Sequence, residues 1–144
     1  MAFTYNDPVV FIEYAMDTAV ACRERGIRSV GVTAGYFGDR AREDFFGVID
    51  AANVDLKAFS EDFYRKIVGG RLEAVKDTLR YVARETRVWL EITTLVIEGH
   101  NDGEREIAEL AQFIAGELGP DVPLHLSAFH PDYRMLDVPR TRIE

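Results

Sequence analysis

The feature that most constrains the fold is a regular alternation of strand-like and helix-like segments along the chain. Strand patterns, rich in apolar and β-branched residues, cover residues 2–5, 28–32, 53–59, 87–97 and 122–129. Helices are predicted over residues 8–25, 39–49, 72–85 and 104–118, the first and third from apolar stripes at helical spacing, and a helical turn over residues 61–64. An alternating order of this kind is typical of parallel strands joined by right-handed helical crossovers.

The strand predicted over residues 53–59 has one apolar and one polar face at a period of two. The apolar set is Val54, Leu56 and Ala58, and the polar set is Asn53, Asp55 and Lys57. Burying a polar group without a partner costs roughly 1–3 kcal/mol. Asp55 and Lys57 therefore either neutralise each other within a core or line a cavity made for a polar ligand.

Parallel strands in this number form either an open doubly wound sheet or an arc of a barrel, and the polar residues favour the arc. Outer helices would cover the apolar face of residues 53–59, leaving Asp55, Lys57, Glu91 and Thr93 to face a lumen. We predict an α/β fold, an incomplete (β/α) TIM-like barrel of about five parallel strands with outer helices. It would form a single partial-barrel domain over residues 1–144.

Composition excludes several classes of partner. The 144 residues carry a formal net charge of −8 and no basic run, so neither nucleic acid nor an anionic membrane is an expected partner. No apolar stretch approaches the roughly 20 residues of a membrane-spanning helix, and a cytoplasmic location is the default expectation. The single cysteine, Cys22, lies on an apolar helix stripe and is predicted to be a small core residue.

The three histidines do not have the spacing of a metal site. His100 lies in a Gly-His-Asn-Asp segment that predicts an exposed turn. His125 alternates with Ser127, which predicts a lumen-facing core histidine satisfied by its neighbours. His130 precedes a proline and, taken alone, indicates a loop residue at the end of a strand.

Five short motifs occur in order along the chain. They are Tyr5-Asn6-Asp7-Pro8, Val32-Thr33-Ala34-Gly35-Tyr36, Asn53-Val54-Asp55-Leu56-Lys57, Thr94-Leu95-Val96-Ile97-Glu98-Gly99-His100-Asn101-Asp102 and Phe129-His130-Pro131-Asp132-Tyr133. Together they resemble radical S-adenosylmethionine (SAM) proteins related to pyruvate formate-lyase activating enzyme, in particular the AmmeMemoRadiSam-system branch. The resemblance covers residues 2–140.

The resemblance implies part of a (βα)6 barrel that binds SAM across the carboxyl ends of its strands. The cofactor-binding residues that it implies are Asn6, Asp7, Thr33, Gly35, Asp55, Lys57, Val96, Ile97 and His130. Asn6 and Asp7 match a loop that approaches the methionyl amine, although glutamate is usual where Asp7 stands. Thr33 and Gly35 match a Thr-Asn-Gly turn in which Ala34 replaces the asparagine.

The remaining matches concern the nucleoside. Asp55 and Lys57 match a strand whose polar side chains face the ribose and the carboxylate. Val96 and Ile97 match an apolar pair beside the adenine. His130 matches a histidine on the ribose side. The resemblance implies no catalytic side chain and no metal ligand among these residues.

In the family that the motifs resemble, a CxxxCxxC loop after the first strand holds a [4Fe-4S] cluster, and SAM is cleaved to a 5′-deoxyadenosyl radical. This sequence has no CxxxCxxC, and its match begins at the family's second strand. We therefore expect a fragment without the N-terminal cluster region, with the first strand and helix of the barrel missing. A [4Fe-4S] cluster is expected only in a full-length protein, and this chain alone is expected to be inactive.

Two functions remain open at this point. The first is the SAM-binding portion of a radical SAM enzyme that resembles glycyl-radical activating enzymes, with a protein or a small molecule as substrate. The second is a catalytically silent truncated barrel that serves as a nucleoside-binding or protein-interaction module. In either case an exposed first strand over residues 2–5 predicts self-association.

Overall fold

The computed structural model describes residues 1–142 and places five parallel strands in one sheet. The strands are β1 (Ala2–Phe3), β2 (Val30–Thr33), β3 (Ala51–Asp55), β4 (Trp89–Val96) and β5 (Leu124–Ala128). The helices are α1 (Ile12–Arg23, after a 3-10 turn at Pro8–Phe11), α2 (Asp39–Phe46), α3 (Glu61–Phe63, continued by a π-helical turn at Tyr64–Val68), α4 (Leu72–Glu85) and α5 (Glu104–Phe113, continued by a π-helical turn at Ile114–Leu118).

The strand order is β1-β2-β3-β4-β5, so each strand pairs in parallel with the next one along the chain. Because right-handed crossovers that all advance in one direction leave their helices on the same face, this order produces an arc of a (β/α) barrel. A doubly wound sheet would require the strand order to reverse. The predicted fold class is confirmed.

The two faces of the sheet differ as the sequence predicts. On the helix-covered face Val54, Leu56 and Ile92 are fully buried, and each such aliphatic side chain contributes about 1.5–3 kcal/mol when buried. The opposite face carries the polar residues of β3 and β4 and is only partly buried. We call it the lumen face, and it is defined by Asn53, Asp55, Glu91, Thr93 and their neighbours on β5.

The strand predicted over residues 53–59 is instead β3, Ala51–Asp55. Beyond it, the Leu56 amide still donates to the Thr93 carbonyl of β4 (3.0 Å), but the amides of Lys57 and Phe59 donate to side chains. The Lys57 amide donates to the Tyr64 hydroxyl (3.1 Å), and the Phe59 amide donates to Glu106 Oε1 (2.7 Å). Hydrogen bonds to these helix side chains therefore replace the strand–strand hydrogen bonds that would extend β3.

Other predicted boundaries also shift at their ends. The strands predicted over residues 2–5, 87–97 and 122–129 are shorter, and β2 ends one residue later than predicted. The predicted helices over 8–25 and 39–49 become Ile12–Arg23 and Asp39–Phe46, whereas the turn over 61–64 extends through Val68. Helix α4 has the predicted bounds.

β1 forms one edge of the sheet, and self-association through that edge stays a prediction.

Asn101 ties the ends of β3 and β4 together. Its side chain is almost fully buried, at 3% exposure. Nδ2 donates to the carbonyls of Lys57 (2.7 Å) and Leu95 (2.9 Å), while Oδ1 accepts from the Ile97 amide (2.7 Å). One side chain thus hydrogen-bonds to three backbone groups, among them the buried Ile97 amide, for which the loss of a partner would be costly.

Gly35 follows β2 with φ of +72°, in the left-handed region that disfavours side chains. A Cβ at this position would lie 2.8 Å from Val54 Cγ1 and 3.2 Å from Val75 Cγ1. Glycine is therefore required both by the backbone conformation and by the close approach of the turn to the core.

We predict that Asn101→Ala lowers the free energy of unfolding by about 2–4 kcal/mol, because three backbone groups, among them the buried Ile97 amide, lose a hydrogen-bond partner. Asn53→Ala is the control, since Asn53 makes one side-chain hydrogen bond, with the Thr93 hydroxyl (2.8 Å), on the half-open lumen face. It should cost about 1 kcal/mol or less. Urea denaturation followed by circular dichroism measures both, and equal losses would contradict the role given to Asn101.

We predict that Gly35→Ala costs about 2–4 kcal/mol, since it adds a steric clash to an unfavourable backbone conformation. Gly26→Ala separates the two contributions, because Gly26 has φ of +70° but no atom within 4 Å of an added Cβ. That variant should lose only about 1–2 kcal/mol. If thermal and urea unfolding show the same loss for both variants, the contact with Val54 has no energetic weight.

Candidate functional site

A cleft of about 460 Å³ opens at the carboxyl ends of β3, β4 and β5. Its lining residues are Asp55, Lys57, Phe63, Ile67, Val68, Thr93, Leu95, Ile97 and Ser127. The volume lies within the range of about 300–1,000 Å³ that small-molecule sites occupy. This end of the strands is where parallel α/β folds bind ligands.

The polar side of the cleft is built around one ion pair. Lys57 Nζ lies 2.8 Å from Asp55 Oδ2, and the two side chains are 39% and 34% exposed. The pair neutralises itself, but it does so in the lining of a cleft and not within a core. An ion pair this exposed is worth only about 0–1 kcal/mol, so a charged ligand can replace either partner at little cost.

The other side of the cleft is apolar. Helix α3 and its π-helical turn contribute Phe63, Ile67 and Val68, and β4 contributes Leu95. Ile97, directly after β4, is buried and held by the hydrogen bond between its amide and Asn101. An apolar wall opposite a charged pair suits a ligand that has a flat apolar part and a charged part.

A second, smaller pocket of about 210 Å³ adjoins the cleft. Its lining residues are Ala34, Tyr36, Lys57, Tyr64, Val68, Gly69, Gly70 and Val75. Lys57 and Val68 line both cavities. Burial raises the pKa of Tyr64 to about 12, so its hydroxyl stays protonated while it accepts the hydrogen bond from the Lys57 amide. Tyr64 is absent from the residues predicted from the sequence, where its only signal is its place in the helical turn after β3.

Asp7 is committed to hydrogen bonds within the protein. Oδ1 accepts from the Val9 amide (3.1 Å) and the Thr33 hydroxyl (2.8 Å), and Oδ2 accepts from the Ala34 amide (2.8 Å). Asp7 is also the N-cap of the 3-10 turn at Pro8–Phe11. The carboxylate thereby holds the loop after β1 against the end of β2.

Thr33 and Gly35 shape the turn after β2. Thr33 is buried, and its hydroxyl donates to Asp7 while accepting from the Gly35 amide (3.1 Å). Gly35 packs against Val54 and Val75, on the helix side of the sheet. Neither Thr33 nor Gly35 lines the cleft.

The other residues singled out in the sequence lie in different surroundings. Val96 is half-buried, and its carbonyl accepts from the Thr141 hydroxyl (2.6 Å). Asn6 and His130 are exposed and do not line the cleft. The structure thus brings Asp55, Lys57 and Ile97 together in one cleft, and the other six residues do not line it.

Three side chains meet on the lumen face nearer the amino ends of the strands: Trp89, Glu91 and His125. Glu91 Oε1 accepts from Trp89 Nε1 (2.9 Å), and Glu91 Oε2 lies 2.8 Å from His125 Nε2. These two hydrogen bonds lower the pKa of Glu91, with that from Trp89 contributing more. His125 faces the lumen as predicted, but the prediction of a core histidine is wrong because its side chain is 51% exposed.

The described residues do not fit an iron–sulfur cluster. Within residues 1–142, no three His, Cys, Asp or Glu side chains are grouped as metal ligands would be. Cys22, the single thiol, is buried on α1 as predicted, and His100 lies in an exposed turn as predicted. Since such clusters are held by several thiolates, this part of the chain does not supply the ligand set.

Each helix within residues 1–142 is too short or too polar to cross a membrane.

Comparison with solved structures shows the same fold in three proteins. A domain of pyruvate-formate lyase-activating enzyme from Bacteroides vulgatus superposes with a TM-score of 0.83 at 20% identity, covering 99% of this chain and 84% of that one. TYW1 with a bound lysine-pyruvate adduct gives 0.68 at 23% identity, over 95% and 44% of the two chains. Streptococcus suis SuiB bound to SAM gives 0.62 at 15%, over 83% and 28%.

Comparison of sequences shows the family. The chain is 38% identical over 144 residues to the uncharacterized protein MJ0808 of Methanocaldococcus jannaschii. It spans all of its own length but only 42% of that relative. The family model described as the radical SAM superfamily matches residues 1–111. Because that match covers well over half of the sequence, the chain belongs to the radical SAM superfamily.

Proposed function

We propose that the cleft at the ends of β3, β4 and β5 binds SAM as part of a radical SAM enzyme that resembles glycyl-radical activating enzymes. The observation that carries this proposal is the cleft itself, in which an exposed ion pair faces an apolar wall. SAM has the matching composition, with a charged methionyl end, a sulfonium, a ribose and a flat adenine. Membership of the superfamily and the SAM-bound SuiB structure support this choice of ligand.

The charged end of the cleft fits the charged end of SAM. Lys57 offers an ammonium group to a carboxylate, and Asp55 offers a carboxylate to an ammonium or a sulfonium. Exchanging their mutual ion pair for these contacts preserves charge balance in the cleft. Asn6 and Asp7 are proposed as further contacts near the methionyl amine, with Asp7 mainly positioning the rim through its hydrogen bonds to Thr33 and Ala34.

The remaining walls fit the nucleoside. Ile97 and Leu95 present apolar surface for adenine, with Val96 between them in the chain. Thr93 and Ser127 also line this space, and hydroxyl groups of this kind suit hydrogen bonding to a ribose, although that of Thr93 donates to Asn53 Oδ1 in the structure. His130, exposed after β5, is proposed as a contact on the ribose side of the rim. Thr33 and Gly35 support the turn that frames this site.

One-electron cleavage of SAM supplies the radical chemistry of the superfamily. Residues 1–142 bind and orient SAM in this proposal, but they do not provide the thiolates of a [4Fe-4S] cluster. We therefore place the cluster only in a full-length protein and infer that this chain alone binds SAM without turning it over. The same observation favours the second candidate function, a nucleoside-binding or protein-interaction module.

The substrate of the full-length enzyme is proposed to be a protein or a small molecule. The structural likenesses to a domain of pyruvate-formate lyase-activating enzyme and to TYW1 do not decide between these two substrate classes. Both comparisons fall below 25% identity and bear on the fold alone, so the specificity for a glycyl radical rests on the motif resemblance.

We predict that isothermal titration calorimetry detects SAM binding to this chain without added iron. Lys57→Ala should weaken that binding about tenfold or more, because a charged hydrogen bond to the ligand is worth about 1.5–3 kcal/mol. Adenosine should compete with SAM, since it occupies the apolar wall and the ribose part of the cleft.

Lys66→Ala is the matched control, because Lys66 is an exposed lysine on the neighbouring helical segment that pairs with Asp62 (2.6 Å). It should bind SAM as the unmodified chain does. Absence of binding by the unmodified chain would overturn the proposed function. Equal binding by the Lys57 and Lys66 variants would instead remove Lys57 from the site.

A further inference from the structure

A second cluster of functional side chains lies on the lumen face, nearer the amino ends of the strands than the cleft. Glu91 lies beside Asn53 in the β3–β4 register, whereas Asp55 lies beside Thr93. The two carboxylates therefore start from backbone positions about 7 Å apart along the strands. Glu91 does not line the cleft proposed for SAM, so its environment needs a separate explanation.

The charge of Glu91 is not balanced in the way that the charge of Asp55 is. Asp55 pairs with Lys57, but within residues 1–142 the only ion-pair contact of Glu91 is with His125. That contact is an ion pair only when the imidazole is protonated. The hydrogen bonds from Trp89 and His125 favour the ionised carboxylate by lowering the pKa of Glu91. The carboxylate of Glu91, fixed by two hydrogen bonds and negatively charged, therefore faces the lumen.

The cluster is accessible to a ligand. The Glu91 side chain is 36% exposed, and Trp89 is 60% exposed on the same face. The indole donates its N–H to Glu91, so ring and carboxylate are held next to each other. A cation placed here is attracted by the carboxylate, and the exposed indole ring beside it offers apolar surface to the chain that carries the cation.

We propose that Trp89 and Glu91 form a recognition site for a primary ammonium group of the substrate, with His125 orienting the carboxylate. Assigning this site to the substrate rests on the proposed function, because the lumen is then the space beneath bound SAM. Recognition of the amine itself does not require SAM. The site selects for an aminoalkyl group and against a carboxylate or an uncharged chain of the same length.

Titration of the chain with butylammonium chloride, without SAM, tests this proposal. Trp89 is the single tryptophan, so intrinsic fluorescence reports on the site directly. We expect a saturable change, with n-butanol and sodium butyrate about two- to fivefold weaker at matched ionic strength. Glu91→Gln, which keeps an oxygen for the Trp89 N–H, should remove the preference for the amine. Glu13→Gln, an exposed carboxylate on α1, should keep it.

Equal responses to butylammonium, butanol and butyrate would overturn the proposal, as would an unchanged preference in a folded Glu91→Gln variant. SAM titration of the same variant keeps the two proposals apart, because Asp55 and Lys57 are untouched and SAM should bind normally. If the unmodified chain binds the amine but not SAM, the proposed function fails while the ammonium site stands. The reverse result removes only the ammonium site.

Discussion

Burial of one face of β3 and β4 against the helices determines where the polar residues of this chain are placed. Val54, Leu56 and Ile92 are fully buried on that face, and a shift of one residue would exchange them for polar neighbours. Side chains alternate along a strand, so the same burial directs Asp55 and Glu91 to the lumen face. The sequential strand order then curls that face into the inside of an arc.

The candidate site depends on side chains that complete the backbone hydrogen bonds beyond the strands. Tyr64 and Glu106 take the amides of Lys57 and Phe59, and Asn101 takes the carbonyl of Lys57. The short segment that carries Lys57 is therefore fixed on both sides although it lies outside β3. This fixation leaves the lysine ammonium group free to meet Asp55, or a ligand, at low cost.

The architecture could be predicted because it rests on local patterns. Helix α4 has a long apolar stripe, and its bounds are as predicted. The polar face of residues 53–59 predicted the direction of Asp55 and Lys57. The end of β3 could not be predicted, since it depends on Glu106, a residue 47 positions from Phe59. The contacts of Glu91 with His125 depend likewise on register between strands, which a single sequence does not specify.

The central claim is that SAM binds at the carboxyl ends of β3 and β4 through the Asp55–Lys57 pair and the apolar wall. Mapping amide chemical shifts in ¹H–¹⁵N spectra during SAM titration tests it most directly. The account predicts that the largest changes fall on Asp55, Lys57 and residues 93–97, with little change at the amino ends of the strands. Saturable changes confined to another face of the sheet, or none at all, would contradict it.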